Sequence, residues 1–303
     1  SLRSPSPITV ESLGGTMGLG RGTNLSDDMV MYVTPSGGQL NGSRYYWTGR
    51  TYDTYTNDQW EASEGDMLQM GPPTGPVDYG WDARLDVSVE FNSRISFLRT
   101  LYFPGAVVDI SRPIQALSGP AQAGESDLTA LIMDPPLRAG ESYRVTAQVS
   151  IPTVLELKES AQKEYPAYIL ERYLQLPEDF STRIQVLAEE ITQDLETPYD
   201  KVEAVTNYLR ANITYESSLP QMPVTIDPIE WFLFTHKAGF CNYYASAEVL
   251  LLRSVGIPAR LAVGYAAGAW NEEERRYEVK SKDYHAWPEV YFPGLGWVPF
   301  EPT

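Results

Sequence analysis

The sequence predicts an α+β fold, helices first and then an antiparallel sheet, preceded by an all-β, sandwich-like region. Three observations predict it. The first half is rich in Gly, Pro, Ser and Thr and carries alternating apolar stretches between turn signals. After Pro152 the apolar spacing becomes helical, and toward the end it returns to short alternating runs. The break near residue 153 divides the chain into two expected domains, a β-rich 1–153 and a mixed 154–303.

Taken in order, Leu85, Val87, Val89 and Phe91 alternate with polar residues, as do Tyr143, Val145, Ala147, Val149 and Ile151. Successive strand side chains point to opposite faces, so each run predicts one buried face. Asn41-Gly42 and Ala139-Gly140 mark turns. The segment from Tyr45 to Trp60 is dense in aromatics. A hairpin with its rings in the core is expected there, and a sugar- or peptide-binding face is the alternative. Residues 153–176 read as linker plus a short helix. Ser181 is placed to cap a helix with apolar positions Ile184, Leu187, Ala188, Ile191 and Leu195. Thr197-Pro198 starts a second helix, with Val202, Val205, Tyr208 and Leu209 inward. A third begins at Cys241, with Val249, Leu250 and Leu252 at helical spacing. Strands are expected near 260–265, 277–280, 285–291 and 297–300.

Cys241 is the only cysteine, and a Gly turn delivers it to a helix start. Free N–H groups and the positive end of the helix dipole favour a thiolate there, the attacking form of the side chain. A lone cysteine is otherwise a small buried hydrophobe. His285 is one of two histidines and opens an alternating stretch. Imidazole can take a thiol proton and return it to a leaving amine. Glu301 follows the next strand after the turn at 292–296. Antiparallel pairing would bring its carboxylate to the imidazole, where it would fix the tautomer. Asp283 shares the His285 face if the alternation reaches back that far, and is the alternative orienter. Trp287 shares that face too, as a wall of the acyl slot or as core. Tyr215 and Trp231 are candidate side-chain donors to an oxyanion, beside the Cys241 backbone N–H. His236 reads as a loop residue, and Arg260 as an ion-pair brace.

These blocks together resemble the transglutaminase-like superfamily, in particular the extracytoplasmic core of bacterial membrane-anchored members. The matching pieces are Gly239-Phe-Cys241, Arg253-Ser-Val-Gly-Ile-Pro-Ala-Arg260, Val263-Gly-Tyr265, His285-Ala-Trp-Pro-Glu-Val290 and Trp297-Val-Pro-Phe-Glu-Pro-Thr303. The resemblance covers about residues 180–303. It implies a papain-like fold with Cys241 as nucleophile, His285 as base and acid, and Glu301 as orienting carboxylate. The family usually carries Asp where this chain has Glu301. It also implies acyl transfer from protein glutamine carboxamides to an amine through a Cys thioester. The implied partners are a glutamine-bearing protein or peptide and an amine acceptor. A cysteine peptidase or amidase acting on protein or cell-wall peptides is the second reading, and a non-catalytic interaction module the third. The resemblance further implies an extracytoplasmic location and membrane helices in the parent protein. Ser1 to Pro7 lack an initiator Met and read as trimmed.

Composition narrows these classes. A chain of 303 residues with 43% hydrophobic content can bury a full core. The formal net charge of −17 argues against nucleic acid or anionic lipid as partner, and weakly favours lysine-bearing ones. No run reaches membrane-span length. A single cysteine excludes an intramolecular disulfide. No zinc cluster or phosphate-binding Gly loop is present, so no cofactor is expected. Calcium is left open, although Asp27-Asp28 and Glu272–Glu274 lack EF-hand spacing.

Overall fold

The structure, a computed structural model, describes residues 13–20, 22, 25–40, 45–56, 58–63, 65–72, 74–119, 127–223 and 225–303. The expected turn at Asn41-Gly42 lies outside them. The two alternating runs of the first half pair as neighbours. Strand Arg84–Ser93 runs antiparallel to Ser142–Ser150, with Val89 opposite Val145 and Phe91 opposite Tyr143. Their shared apolar face is buried from Val87 to Phe91 and from Tyr143 to Val149, whereas Leu85 and Ile151, at the strand ends, are exposed.

Helices follow where the spacing places them. Thr153 caps Val154–Glu159 with a complete capping box to Glu156. Helix Ala167–Tyr173 comes next, and Thr182–Thr192 buries Ile184, Leu187 and Ala188. Ser181 sits at the N-cap of the latter, but its hydroxyl donates to Glu230 instead of capping. Thr197 caps Pro198–Asn212 through the Asp200 N–H.

Helix Cys241–Ser254 departs from a one-faced pattern, because every residue from Cys241 to Arg253 is buried. One flank packs on strands Ala259–Ala266 and Tyr284–Phe292, and the other meets the two preceding helices. The N-terminal half closes over what remains. Trp60 Nε1 donates to Ser246 at 2.8 Å, Asn242 Nδ2 to the Leu19 carbonyl at 3.1 Å, and the Tyr243 hydroxyl to the Gly20 carbonyl at 2.8 Å.

Both large sheets draw strands from either side of residue 153. The eight-stranded sheet runs in the order Gly296–Pro299, Tyr284–Phe292, Ala259–Ala266, Tyr46–Tyr52, Leu128–Leu137, Ile114–Ser118, Asp66–Met70, with Leu98–Leu101 on Leu128–Leu137. Strand Arg276–Lys280 pairs with Ala269–Asn271 on one side and with Met29–Pro35 on the other, in a six-stranded sheet apart from the strands that follow it. The aromatics from Tyr45 to Trp60 are core residues: Tyr45, Tyr46, Trp47, Tyr52, Tyr55 and Trp60 are all buried. Strand Tyr46–Tyr52 lies between two neighbours and is buried throughout. Gly264 makes this join possible, since a Cβ there would stand 2.0 Å from the Trp47 carbonyl oxygen. The register also shifts at Val263/Gly264, which adds a local twist to the strand that delivers Tyr46.

Candidate active site

Cys241 opens its helix directly after Phe240, whose extended backbone serves as N-cap. Its side chain is 2% exposed. The thiol donates to Asn242 Oδ1 at 3.6 Å, and His285 stands beside it, its imidazole raised by that interaction. His285 lies opposite Gly264 near the start of strand Tyr284–Phe292. Glu301 follows strand Gly296–Pro299, which pairs with that strand through the turn at 293–295. His285 Nε2 meets Glu301 Oε2 at 2.8 Å. With Nε2 committed to the carboxylate, Nδ1 is the ring nitrogen left for the thiol.

The electrostatics follow from these contacts. Burial alone would depress the His285 imidazole. The Cys241 and Glu301 contacts outweigh burial and carry it up to about 10. Burial would likewise raise Glu301, but His285, Thr303 and Tyr46 hold it down at about 2. Glu301 accepts on both oxygens: the Tyr46 hydroxyl reaches Oε2 at 2.7 Å, and the Thr303 N–H reaches Oε1 at 3.0 Å. Arg210 donates to the Glu301 main-chain carbonyl and pins the segment from behind.

The other candidate residues divide. Tyr215 comes to the site, beside Cys241. Burial and then Cys241 push that phenol up to about 12, although the residue is 54% exposed overall. Trp287 lies beneath the base, fully buried, at a centroid distance of 6.2 Å from His285. Trp231 is buried with its ring stacked on His236 at 4.4 Å, and His236 Nε2 contacts Glu216 at 3.2 Å. Asp283 does not reach His285. Residues Ser281–Asp283 form a short 3-10 turn, so strand alternation begins only at Tyr284. The Asp283 carboxylate accepts the Lys280 N–H at 2.8 Å instead. Arg260 is a brace, bonded to Glu289 at 2.8 Å and Asp127 at 3.1 Å.

Tyr46 is the site residue that reading the sequence missed. Its ring stacks on Trp287 at 4.4 Å and faces His285 at 5.7 Å, while its hydroxyl donates to Glu301. It therefore supports base and orienter together. The aromatic density around residue 46 was the available signal, but only the pairing of residues 46–52 with 259–266 assigns it to the site. Among the described residues, no group of three or more His, Cys, Asp or Glu is arranged to hold a metal ion. No described helix is long and apolar enough to cross a membrane.

Known proteins match this arrangement. The transglutaminase-like superfamily model matches residues 185–302, and the TgpA N-terminal domain model matches residues 6–153. The uncharacterized protein YebA of Bacillus subtilis is 35% identical over 280 residues, 86% of this chain and 37% of that protein. A protein-glutamine gamma-glutamyltransferase of Pseudomonas aeruginosa is 35% identical over 132 residues, 44% of this chain and 20% of that protein. This chain thus spans well under half the length of either relative. The crystal structure of the periplasmic domain of TgpA from Pseudomonas aeruginosa superposes with a TM-score of 0.71 at 24% identity, covering 98% of this chain and 94% of that one. It shares the fold. Together these matches identify the chain as a member of the transglutaminase-like superfamily, its superfamily core preceded by a TgpA N-terminal domain.

Proposed function

We propose that this chain carries out cysteine-dependent acyl transfer on glutamine carboxamides of proteins or peptides. The observation that supports it most is a single imidazole hydrogen-bonded to a largely covered carboxylate and raised by the chain's one thiol beside it. In this reading the Cys241 proton rests on His285 Nδ1 as a thiolate–imidazolium pair, and the sulfur attacks the carboxamide carbon. The oxyanion is received by the Cys241 backbone N–H, with the Tyr215 hydroxyl as the side-chain donor beside it. His285 then protonates the leaving ammonia, and a thioester remains. A primary amine attacks the thioester, loses a proton to His285, and releases the isopeptide and the free thiol. Glu301, steadied by Tyr46, keeps the ring oriented and offsets the imidazolium charge.

Similarity to the Pseudomonas protein-glutamine gamma-glutamyltransferase favours transamidation over hydrolysis. Peptidase or amidase action uses the same groups, with water as acceptor. The likeness to a periplasmic domain suggests an extracytoplasmic location, and the longer relatives leave room for membrane helices elsewhere in the parent protein. The test incubates the protein with a glutamine peptide and a primary amine and follows the peptide by mass spectrometry. Amine-sized mass addition supports the proposal. Deamidation alone or backbone cleavage assigns the site to hydrolysis, and no change in any peptide tried refutes it.

A further inference from the structure

Between the all-β region and the end of the eight-stranded sheet lies a narrow cleft. Its walls include the rings of Tyr46, Trp287, Trp297 and Trp81, with Arg260 and Glu289 among them. Neither Cys241 nor His285 lines it. Tyr46 and Trp287, which stack beside His285, form the partition between this cleft and the reactive groups.

The lining is polar in one informative place. Arg260 Nε is bonded to Glu289 Oε2, and Arg260 Nη1 to Asp127 Oδ1. Arg260 Nη2 and Glu289 Oε1 have no hydrogen-bond partner among the described residues, and neither is sealed from solvent. Their side chains are only 9% and 11% exposed, so the cleft is their outlet. The guanidinium rests 4.1 Å from the Trp297 ring centre, which holds it in place.

A fixed N–H donor and a fixed carboxylate acceptor thus stand side by side between aromatic walls. That pair is the complement of an amide, whose carbonyl accepts from Arg260 and whose N–H donates to Glu289. A simple anion would meet Glu289 and a simple cation would meet Arg260, so a net-neutral polar group fits better than either. The flanking rings favour an aromatic or large apolar group beside that amide.

We propose that this cleft is a second binding site, which takes a peptide amide next to an aromatic or large apolar side chain. Assigning the occupant to the substrate polypeptide rests on the acyl-transfer reading, whereas the binding itself does not. The site would then anchor a stretch of the substrate away from the reacting glutamine and contribute to specificity.

The test uses the Cys241→Ala protein, so that no thioester forms, and titrates it calorimetrically with N-acetyl-phenylalaninamide. N-acetylglucosamine is titrated in parallel. Saturable binding of one equivalent of the phenylalanine amide is expected. Ala106→Trp, which fills the cleft from its partly exposed wall, should abolish binding. Glu289→Gln should weaken it on the order of tenfold through loss of the charged acceptor. Native circular dichroism and a cooperative melt certify both variants as folded, Glu289→Gln at a lowered melting temperature because it removes the charge opposite Arg260. Absent saturation overturns the proposal, as does affinity untouched by either folded variant or preferential binding of the sugar. Binding here without acyl transfer by the unmodified protein would remove the proposed function and keep the cleft. Acyl transfer without binding here would do the reverse.

Discussion

At one end of the eight-stranded sheet, His285 and Glu301 share a hydrogen bond of 2.8 Å, and the imidazole turns its other edge to Cys241. Toward the strand that begins at Leu128, Arg172 bonds Asp53 and Asp127 at 2.9 Å, and Arg260 bonds Asp127 and Glu289. Both clusters are built from opposite charges, the second buried and the first partly so. They differ in what sits at the end of the chain of contacts. Arginine does not give up its proton, so a cluster centred on guanidinium groups works as a brace. Imidazole can, and its remaining neighbour is a thiol. The same kind of charge pairing therefore makes a structural network around arginine and a proton-transfer device around imidazole.

The largest expected effects break the device and spare the brace. Cys241→Ala should abolish turnover of a glutamine peptide, and His285→Ala should lower kcat by roughly 10²–10⁴-fold. Both should remain folded by circular dichroism. A kcat loss under tenfold in His285→Ala would contradict the assigned base. Breaking the brace should do the opposite. Asp127→Asn removes a shared partner of Arg172, Arg260 and the Tyr173 hydroxyl. It should cost about 3–5 kcal/mol in urea unfolding, the range for uncompensating a buried charge. A loss below about 1 kcal/mol would show the cluster to be dispensable.

pH sharpens the comparison further. His285 is raised in the folded state to about 10, so its share of stability is complete below the unfolded value of about 6.5 and is lost as pH rises through about 10. Glu301 is lowered to about 2, so its share is complete above about 4.3 and is lost as pH falls through about 2. The stability gap between wild type and Glu301→Gln should therefore be widest at roughly pH 4.3–6.5. It should narrow on both sides, as urea unfolding across pH can establish. A gap that does not vary with pH would mean the pair is not ionised as described.

Smaller still is the effect of Tyr46→Phe. It deletes one hydrogen bond to a charged acceptor, so kcat should fall on the order of tenfold with KM little changed. An equal rise in KM would place Tyr46 in substrate binding instead. Smallest is chelation: because every step drawn above uses side chains of this chain, excess EDTA should leave the rate unchanged. A loss restored by calcium would add a metal to the account.

How much of this could be read from the sequence depends on range along the chain. The Cys241 helix start, the alternating run from His285 and the short strand before Glu301 are local patterns. The turn at 293–295 joins the last two, so their partnership was legible. Asp283 fell outside because a turn, not the strand, occupies 281–283, and alternation cannot be extended through it. Tyr46 was hidden for a different reason. Its strand pairs with residues more than two hundred positions away, and no local period encodes such a join. Gly264 is its trace in the sequence, legible only once the Trp47 carbonyl is seen against it. The same long-range pairing explains why strands expected to form one sheet divide between two.

The most direct measurement is the rate of Cys241 alkylation by iodoacetamide at pH 6, in the wild type and in His285→Ala. An unassisted thiol is almost wholly protonated there and reacts slowly. An activated pair predicts alkylation at least about tenfold faster in the wild type than in the variant, because the His285 imidazolium stabilises the thiolate beyond what the helix start alone supplies. Equal and slow rates in the two proteins would contradict it, leaving Cys241 a buried thiol and His285 a bystander.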